Sequence, residues 1–290
     1  MTWSTTPSTP LGSGVRILQL TDTHVPSPGS GTDDALASLE RVLGDLAEVP
    51  DLDVVLVTGD IADDGSAAGC RVVRDEVVRY AAPRGLGQVF LPGNNDSREG
   101  FRAALGSGHL SADGVDIATS QLDGPECAAA SEHRGLRIIT LDSTVPGQMH
   151  GRLGARQLSW LRQTLASPAP NGTVVALHHP PLTLDDSPFL SGVALANPDE
   201  LADVIEGTDV RAVLTGHFHV QAVGFLGSIP VWVCPAVESR VDLGPPRSTL
   251  RFVLDPAVGI INLPAAGRPS FYALHARDRV RQMRSVTLPA

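Results

Sequence analysis

Five short blocks of the sequence are crowded with side chains that bind metal ions. They are Asp22-Thr23-His24, Gly59-Asp60-Ile61-Ala62-Asp63, Gly93-Asn94-Asn95-Asp96, His178-His179-Pro180 and Gly216-His217-Phe218-His219. Carboxylates, imidazoles and an amide oxygen make a mixed oxygen and nitrogen set that suits Mn, Fe or Zn, with no thiolate in it. The spacing of Asp22-x-His24 and of His217-x-His219 predicts both side chains on one side of an extended segment. An aspartate can bridge two cations about 3.5–4 Å apart, and such a pair can activate a water for in-line attack on phosphorus. Gly59, Gly93 and Gly216 are expected to let the backbone turn sharply where each ligand must project inward. A purely structural role for these side chains is disfavoured, because burying so many of them together without a cation would cost too much.

Taken in order, the blocks resemble the D-x-H, G-D-x-x-D, G-N-H-D, H-x-P and G-H-x-H motifs of the calcineurin-like metallophosphoesterase superfamily, over roughly residues 15–243. From residue 136 to about 237 the chain is closer still to the bacterial class III cyclic nucleotide phosphodiesterases. Leu141-Asp142-Ser143-Thr144-Val145-Pro146-Gly147, His178-His179-Pro180-Pro181 and Gly207-Thr208-Asp209-Val210-Arg211-Ala212 carry that likeness. The resemblance implies a four-layer α/β/β/α sandwich of two mixed sheets flanked by helices. It also implies a dinuclear site, with Asp22, His24, Asp60 and His219 on one ion and Asp60, Asn94, His178 and His217 on the other. Asp60 would be the bridge, and His178 matches the H-x-P ligand, which leaves His179 a structural neighbour. The implied activity is hydrolysis of a 3′,5′- or 2′,3′-cyclic phosphodiester, with Asn94 also donating to the phosphate, by a protein that forms a homodimer.

The pattern breaks at one position. Family members carry His after the ligand Asn, where this chain has Asn95. That His contacts the phosphate and protonates the leaving alkoxide, oriented by the aspartate that Asp63 matches. Asparagine donates a hydrogen bond but supplies no proton. Asn95 therefore reads either as a natural departure, with proton delivery left to solvent or another group, or as an inactivating replacement. It keeps two other readings open beside the cyclic nucleotide phosphodiesterase. One is a broader phosphodiesterase or phosphomonoesterase on small esters; the other is a catalytically weakened nucleotide-binding module.

Elements must bring these blocks together, and the hydrophobic pattern predicts them. Apolar, β-rich runs cover residues 15–20, 54–58, 89–91, 136–141, 173–177, 210–215 and 229–233. The ligand blocks follow immediately after five of these runs, at the strand ends where ligands bind in α/β sheets. Helical periodicity covers 33–49, 66–82 and about 154–166, and Asn197-Pro198-Asp199-Glu200 reads as an Asn-capped helix start. Strands alternating with helices predict an α/β domain over 15–275, between a flexible 1–14 and a tail at 276–290 whose last turn is expected to be disordered. Late apolar runs at 250–254, 259–263 and 271–274 could add strands.

Composition narrows the partners. A net charge of −10 makes a poor general binder of nucleic-acid backbones. No apolar run is long enough to span a bilayer. The N-terminus has no signal core, and Cys70, Cys127 and Cys234 form no CxxC pair, so a cytoplasmic protein is expected. Among the remaining side chains, His109, His133 and His275 read as surface residues and His150 as a solvated loop histidine. Phe218 reads as core packing, Asp64 and Asp96 as turn or cap residues, and Arg71, Arg74 and Arg79 as a solvated helix face.

Overall fold

The computed structural model describes residues 14–30, 34–244, 246 and 249–277. Most of the expected N-terminal segment and all but the first residues of the expected tail lie outside these. The chain opens with β1 (Val15–Leu20), α1 (Asp34–Asp45), β2 (Val54–Thr58), α2 (Ala67–Ala81), β3 (Gly87–Leu91) and α3 (Arg98–Leu105). Four strands follow: β4 (His109–Leu110), β5 (Ser120–Gln121), β6 (Ala129–His133) and β7 (Leu136–Leu141). Next come α4 (Ala155–Thr164), β8 (Thr173–Leu177), α5 (Pro188–Gly192), α6 (Pro198–Ile205), β9 (Val210–Thr215), β10 (Ala222–Leu226) and β11 (Ile229–Val233). The chain ends with β12 (Arg240–Asp242), β13 (Arg251–Val253), β14 (Ala257–Leu263) and β15 (Ser270–His275).

Two mixed sheets result, in the orders β15-β14-β1-β2-β3-β4 and β10-β11-β9-β8-β7-β6-β5, with β12 and β13 forming a separate ribbon. β1, β2 and β3 run parallel in the first sheet, as do β7, β8, β9 and β11 in the second. The alternation within these strands sorts side chains into layers. Ile17, Val54, Leu56 and Val89 meet Ile138, Val174, Ala212 and Leu214 between the sheets. Leu18, Val55 and Val57 face outward onto the helices bearing Leu39, Val73 and Phe101. Ile139, Val175 and Val213 face outward onto Leu161 and Leu201. Strands covered on both faces are apolar throughout, as β2 and β8 are. The architecture is the expected four-layer α/β/β/α sandwich.

Helix starts follow local chemistry. Ser66 accepts from the Gly69 N–H at 3.0 Å to cap α2, and Ser97 accepts from Gly100 to cap α3. Asn197 departs from its expected role as a cap. Its side chain instead clamps Leu153, accepting from the N–H and donating to the carbonyl. His109 and His133 are likewise buried rather than exposed. The His109 ring bonds Ser131 Oγ at 2.7 Å and Thr140 Oγ1 at 2.9 Å, and Ser131 Oγ in turn meets His133 Nε2. β4, β6 and β7 supply that polar chain, which only tertiary pairing brings together. Among the described residues no helix is long and apolar enough to cross a membrane.

Candidate metal centre

All five blocks sit at the carboxyl ends of parallel strands, after β1, β2 and β3 in one sheet and after β8 and β9 in the other. The two sheets face each other, so their strand ends open onto one crevice. Backbone bonds zip the loops together there: Asp22 N–H to Gly59 O, His24 N–H to Asp60 O, and Glu238 N–H to Asp22 O. The local conformation differs from the extended segments expected of D-x-H and H-x-H. Asp22, His24, Asp60, His217 and His219 all have φ between 44° and 67°. Among the described residues only seven non-glycine positions are left-handed, so such backbone is concentrated in this site. The spacing brings the side chains together, but by left-handed bends rather than strand alternation.

The glycines also act differently from expectation. Of Gly59, Gly93 and Gly216, only Gly59 has a positive φ, 88°. Gly93 and Gly216 are there for close approach. A Cβ at Gly93 would lie 2.2 Å from Asp60 Oδ1, and one at Gly216 would lie 1.8 Å from Thr21 Oγ1 and 2.8 Å from Asp22 Oδ2.

The side chains converge in three adjoining groups: His24, Asp22 and His219; His178, Asp22 and Asp60; and His178, His179 and His217. Asp60 Oδ2 lies 3.7 Å from His24 Nε2 and 3.4 Å from His178 Nε2, so one carboxylate oxygen faces both. His219 Nε2 is 3.4 Å from Asp22 Oδ1, and His217 Nδ1 is 3.1 Å from His178 Nε2. The outward ring nitrogens are held by acceptors. His178 Nδ1 donates to Thr58 O at 2.8 Å, His219 Nδ1 to Ser239 O at 3.0 Å, and His24 Nδ1 lies 3.5 Å from Asp63 Oδ1. Those contacts fix tautomers whose Nε2 lone pairs point inward, as in metal sites.

This arrangement fits cations better than it fits itself. His24 Nε2 and His219 Nε2 approach to 3.3 Å, close enough for one cation to lie against both rings. Asp22 Oδ1, Asn94 Oδ1 and His217 Nε2 are buried without a hydrogen-bond partner. Buried polar atoms are rarely left so. Asp22, Asp60, His178, His217 and His219, with His24 and Asn94 beside them, are thus a donor set that could hold two metal ions.

Charge coupling is correspondingly strong. Burial alone would raise Asp22, but the His219 and His178 imidazoles outweigh it and hold the carboxyl down to about 2. Asp60 is also held well below the usual range, against its burial, mainly by His178. Burial disfavours charge on His24 and His178, yet the carboxylates Asp63, Asp60 and Asp22 push His24 up to about 9, and Asp60 and Asp22 do the same for His178. Burial and the His178 charge push His217 down to about 4.

Asn95 lines the same crevice. Its backbone N–H donates to Asp60 Oδ1 and its side-chain amide to Asp60 Oδ2, both at 2.9 Å, with His24 Nδ1 at 3.5 Å from that nitrogen. Asp63 is turned to His24 rather than to Asn95. Asp96 ties the loop from below, accepting from the backbone N–H groups of Ile61, Ala62 and Gly93. Asp64 accepts from Ser66 N–H, so both acids hold turns as expected. His179 has both ring nitrogens engaged, by Ser143 Oγ and Met149 O. Phe218 is fully buried in an apolar cluster with Leu190 and Val233. His150 does not line the cleft.

The crevice widens into a cleft of about 850 Å³. Sequence reasoning missed two of its parts. One is the pair of backbone acceptors, Thr58 O and Ser239 O, which carry no side-chain signal. The other is the β12–β13 ribbon, whose Val241 N–H donates to His219 O at 2.8 Å. Leu250, Phe252 and Leu254 extend the cleft beside it.

Comparisons with known proteins agree with this geometry. The family model described as calcineurin-like phosphoesterase matches residues 15–221. A Rhodococcus erythropolis protein named "probable cyclic nucleotide phosphodiesterase" is 37% identical over 80% of this chain and 75% of its own length. A cAMP/cGMP dual specificity phosphodiesterase of Mycobacterium tuberculosis is 37% identical over 78% of this chain and 69% of its own. Among solved structures, a dimetal phosphatase from Danio rerio superposes with a TM-score of 0.56 at 13% identity, covering 91% of this chain and 99% of that one. That last likeness concerns the fold.

Proposed function

The chain belongs to the calcineurin-like phosphoesterase family, and from that premise we propose that it is a dinuclear metal-dependent phosphodiesterase that opens cyclic nucleotides to monophosphates. The observation that carries this reading is the single Asp60 oxygen facing both His24 and His178. In it, Asp22, His24, Asp60 and His219 hold one ion, and Asp60, Asn94, His178 and His217 the other. The relatives named as cyclic nucleotide phosphodiesterases support the substrate class.

When bound, two such cations supply the Lewis acidity that activates water and offsets charge on the phosphate oxygens. The protein's own groups do the rest. Thr58 O and Ser239 O keep His178 and His219 in the tautomer with Nε2 free. Asn94, whose Oδ1 is buried without a partner, would offer that oxygen to a metal ion and leave its amide N–H for a phosphate oxygen. Asn95 and Asp63 line the leaving-group side, and neither is a ready proton source. Three unpaired, buried cysteines suit a cytoplasmic protein.

Charge favours a diester over a monoester. No Lys or Arg lines the cleft among the described residues, whereas Asp34, Asp63, Asp64 and Glu238 do. A diester brings one negative charge, while a monoester brings about 1.5 to 2 at neutral pH. Away from the metal centre a monoester would therefore meet more repulsion from these carboxylates, with no Lys or Arg to answer it. Asn95, bonded to Asp60 where the family has an imidazole, is the observation that favours a second reading, a weakened nucleotide-binding module.

Metal analysis paired with turnover of 3′,5′-cyclic AMP and 5′-AMP tests the proposal. The expected result is two equivalents of metal per chain and hydrolysis of the cyclic diester well ahead of the monoester. Asp60→Asn should lose metal and lower turnover by about 10³-fold. A fully loaded protein that binds the cyclic nucleotide but turns over no diester would instead be the binding module.

A further inference from the structure

The β12–β13 ribbon carries an apolar face that the other described elements cover only in part. In strand geometry residues two apart share a face, so Leu250, Phe252 and Leu254 point together, and all three line the cleft. Val241 lies directly opposite Phe252 and is buried against the cluster that holds Leu190 and Val193 of the α5 segment. Phe252 itself is 55% exposed and Leu254 70%. Ten large apolar side chains are exposed among the described residues, and five of them (Met149, Phe189, Leu250, Phe252 and Leu254) line this one cleft.

The ribbon is also built into the metal centre. Val241 N–H donates to His219 O, His219 Nδ1 donates to Ser239 O, and the Phe252 ring stands edge-on to His219 with centroids 5.8 Å apart. Its strands are pinned by Arg251 to Asp242 and by Arg240 to Asp255. A two-stranded ribbon has little stability of its own, so this pinning holds the apolar face in place beside the ligands.

What would cover that face must be apolar, flat and uncharged. The acidic residues Asp34, Asp63, Asp64 and Glu238 on the cleft, with no Lys or Arg among the described lining residues, exclude a second phosphate. Phe252 and Phe189 are both there, in a chain with only twelve aromatic residues. Aromatic side chains hold nucleobases by stacking with little regard to their sequence, because every base has a π-face.

We propose that the β12–β13 ribbon is the nucleobase subsite of the enzyme, with Phe252 as the specificity-determining residue that stacks on the base while the phosphodiester lies at the metal centre. This rests on the phosphodiesterase reading above. Leu250 and Leu254 flank the ring, and Phe189 and Met149 close the cleft from the other segments. The subsite selects nucleotides over simple alkyl diesters and tolerates both purines and pyrimidines.

The test compares two diesters with one leaving group, thymidine 5′-(p-nitrophenyl) phosphate and methyl p-nitrophenyl phosphate, on metal-loaded wild type, Phe252→Ala, Phe252→Leu and Phe252→Trp. Turnover of 3′,5′-cyclic AMP and its binding by calorimetry are measured alongside, with metal content and oligomeric state as controls. In Phe252→Ala the ratio of kcat/KM for the thymidine ester to that for the methyl ester should fall about tenfold, and Phe252→Trp should restore it. Phe252→Leu, which keeps apolar bulk without a π-face, should resemble Phe252→Ala. Equal losses on both esters, or loss of metal, would make Phe252 a structural support and overturn the proposal. A change in oligomeric state would make a second copy of the chain the occupant and overturn it too. Preference for the thymidine ester without turnover of cyclic AMP would sink the cyclic substrate but leave the subsite standing. If no ester turns over, a tenfold loss of cyclic AMP binding in Phe252→Ala still supports the subsite, and unchanged or absent binding refutes it.

Discussion

Replacing Asn95 by histidine should restore a proton donor and accelerate the reaction selectively. The amide at this position faces Asp60 and sits in a mouth edged by Asp63, so an imidazole there would be surrounded by carboxylates that favour its protonated form. General acid catalysis is worth about 10²–10⁴-fold when the acid is well placed. Here the lower end applies, because Asp63 is already paired with His24 and cannot fully orient a new ring. Asn95→His also loses the side-chain hydrogen bond to Asp60, though the backbone N–H of residue 95 keeps its own bond to Oδ1. That loss acts on every substrate alike, so the ratio between substrates is the diagnostic. The ribose alkoxide of a cyclic nucleotide needs a proton to leave, whereas p-nitrophenolate does not. We expect kcat for 3′,5′-cyclic AMP to rise about 10²-fold and kcat for bis(p-nitrophenyl) phosphate to change less than about threefold, at equal metal content. Asp63→Asn in the Asn95→His background should remove part of the gain. Equal gains on both substrates, or none on the cyclic one, would refute the reasoning.

Other outcomes follow from particular contacts. Gly93→Ala places a Cβ 2.2 Å from Asp60 Oδ1 without requiring a left-handed backbone, so it should leave a folded protein that binds less metal, read by metal analysis and circular dichroism together; full metal content would show that the loop can yield. Arg98→Ala strips the ion pair from Asp142, which is wholly buried, and should cost about 3 kcal/mol, or roughly 6–12 °C in thermal midpoint. A shift under about 2 °C would mean that the Cys127 and Thr144 N–H groups alone satisfy that carboxylate. Burial pushes His109 down to about 3 and His133 down to about 4, while both titrate near 6.5 when unfolded. Below pH 6.5 the unfolded chain therefore takes up protons that the folded one refuses, and stability falls with pH, by about 2 kcal/mol per histidine at pH 5. Melting with chelator present at pH 7 and pH 5 should show His109→Gln losing less than wild type over that interval; parallel losses would put the acid sensitivity elsewhere.

Much of the fold can be read from the hydrophobic pattern, for a physical reason. β1, β2, β7, β8, β9 and β11 begin and end where the apolar runs do, because these strands are covered on both faces and stop at polar loops. β6, with the sequence Ala-Ala-Ser-Glu-His, carries no such signal, since Ser131 and His133 are buried and bond to neighbours rather than to water. His109 reads as exposed for the same reason: its partners Ser131 and Thr140 come from strands later in the sequence. At the site the residue types and order were legible, whereas the left-handed bends at Asp22, His24, Asp60, His217 and His219 were not. Spacing alone cannot tell two side chains that alternate along a strand from two that a bent loop turns inward. The cleft wall is also hidden, because Leu250, Phe252 and Leu254 read as an ordinary late strand until the ribbon is seen lining the cleft.

The left-handed residues of the candidate site have a consequence for how such a site is probed and how it ages. A residue with a side chain in this region costs of order 1–3 kcal/mol, less for Asp, Asn and His than for others. An alanine scan through Asp22, His24, Asp60, His217 and His219 would therefore remove a candidate ligand and worsen the backbone at once, confusing two losses. Glycine replacements separate them, because they remove the ligand while relieving the bend. The same arithmetic acts on descent. In a lineage released from catalysis, these five positions would drift toward glycine and asparagine, and the descendant would be sturdier without metal than its ancestor.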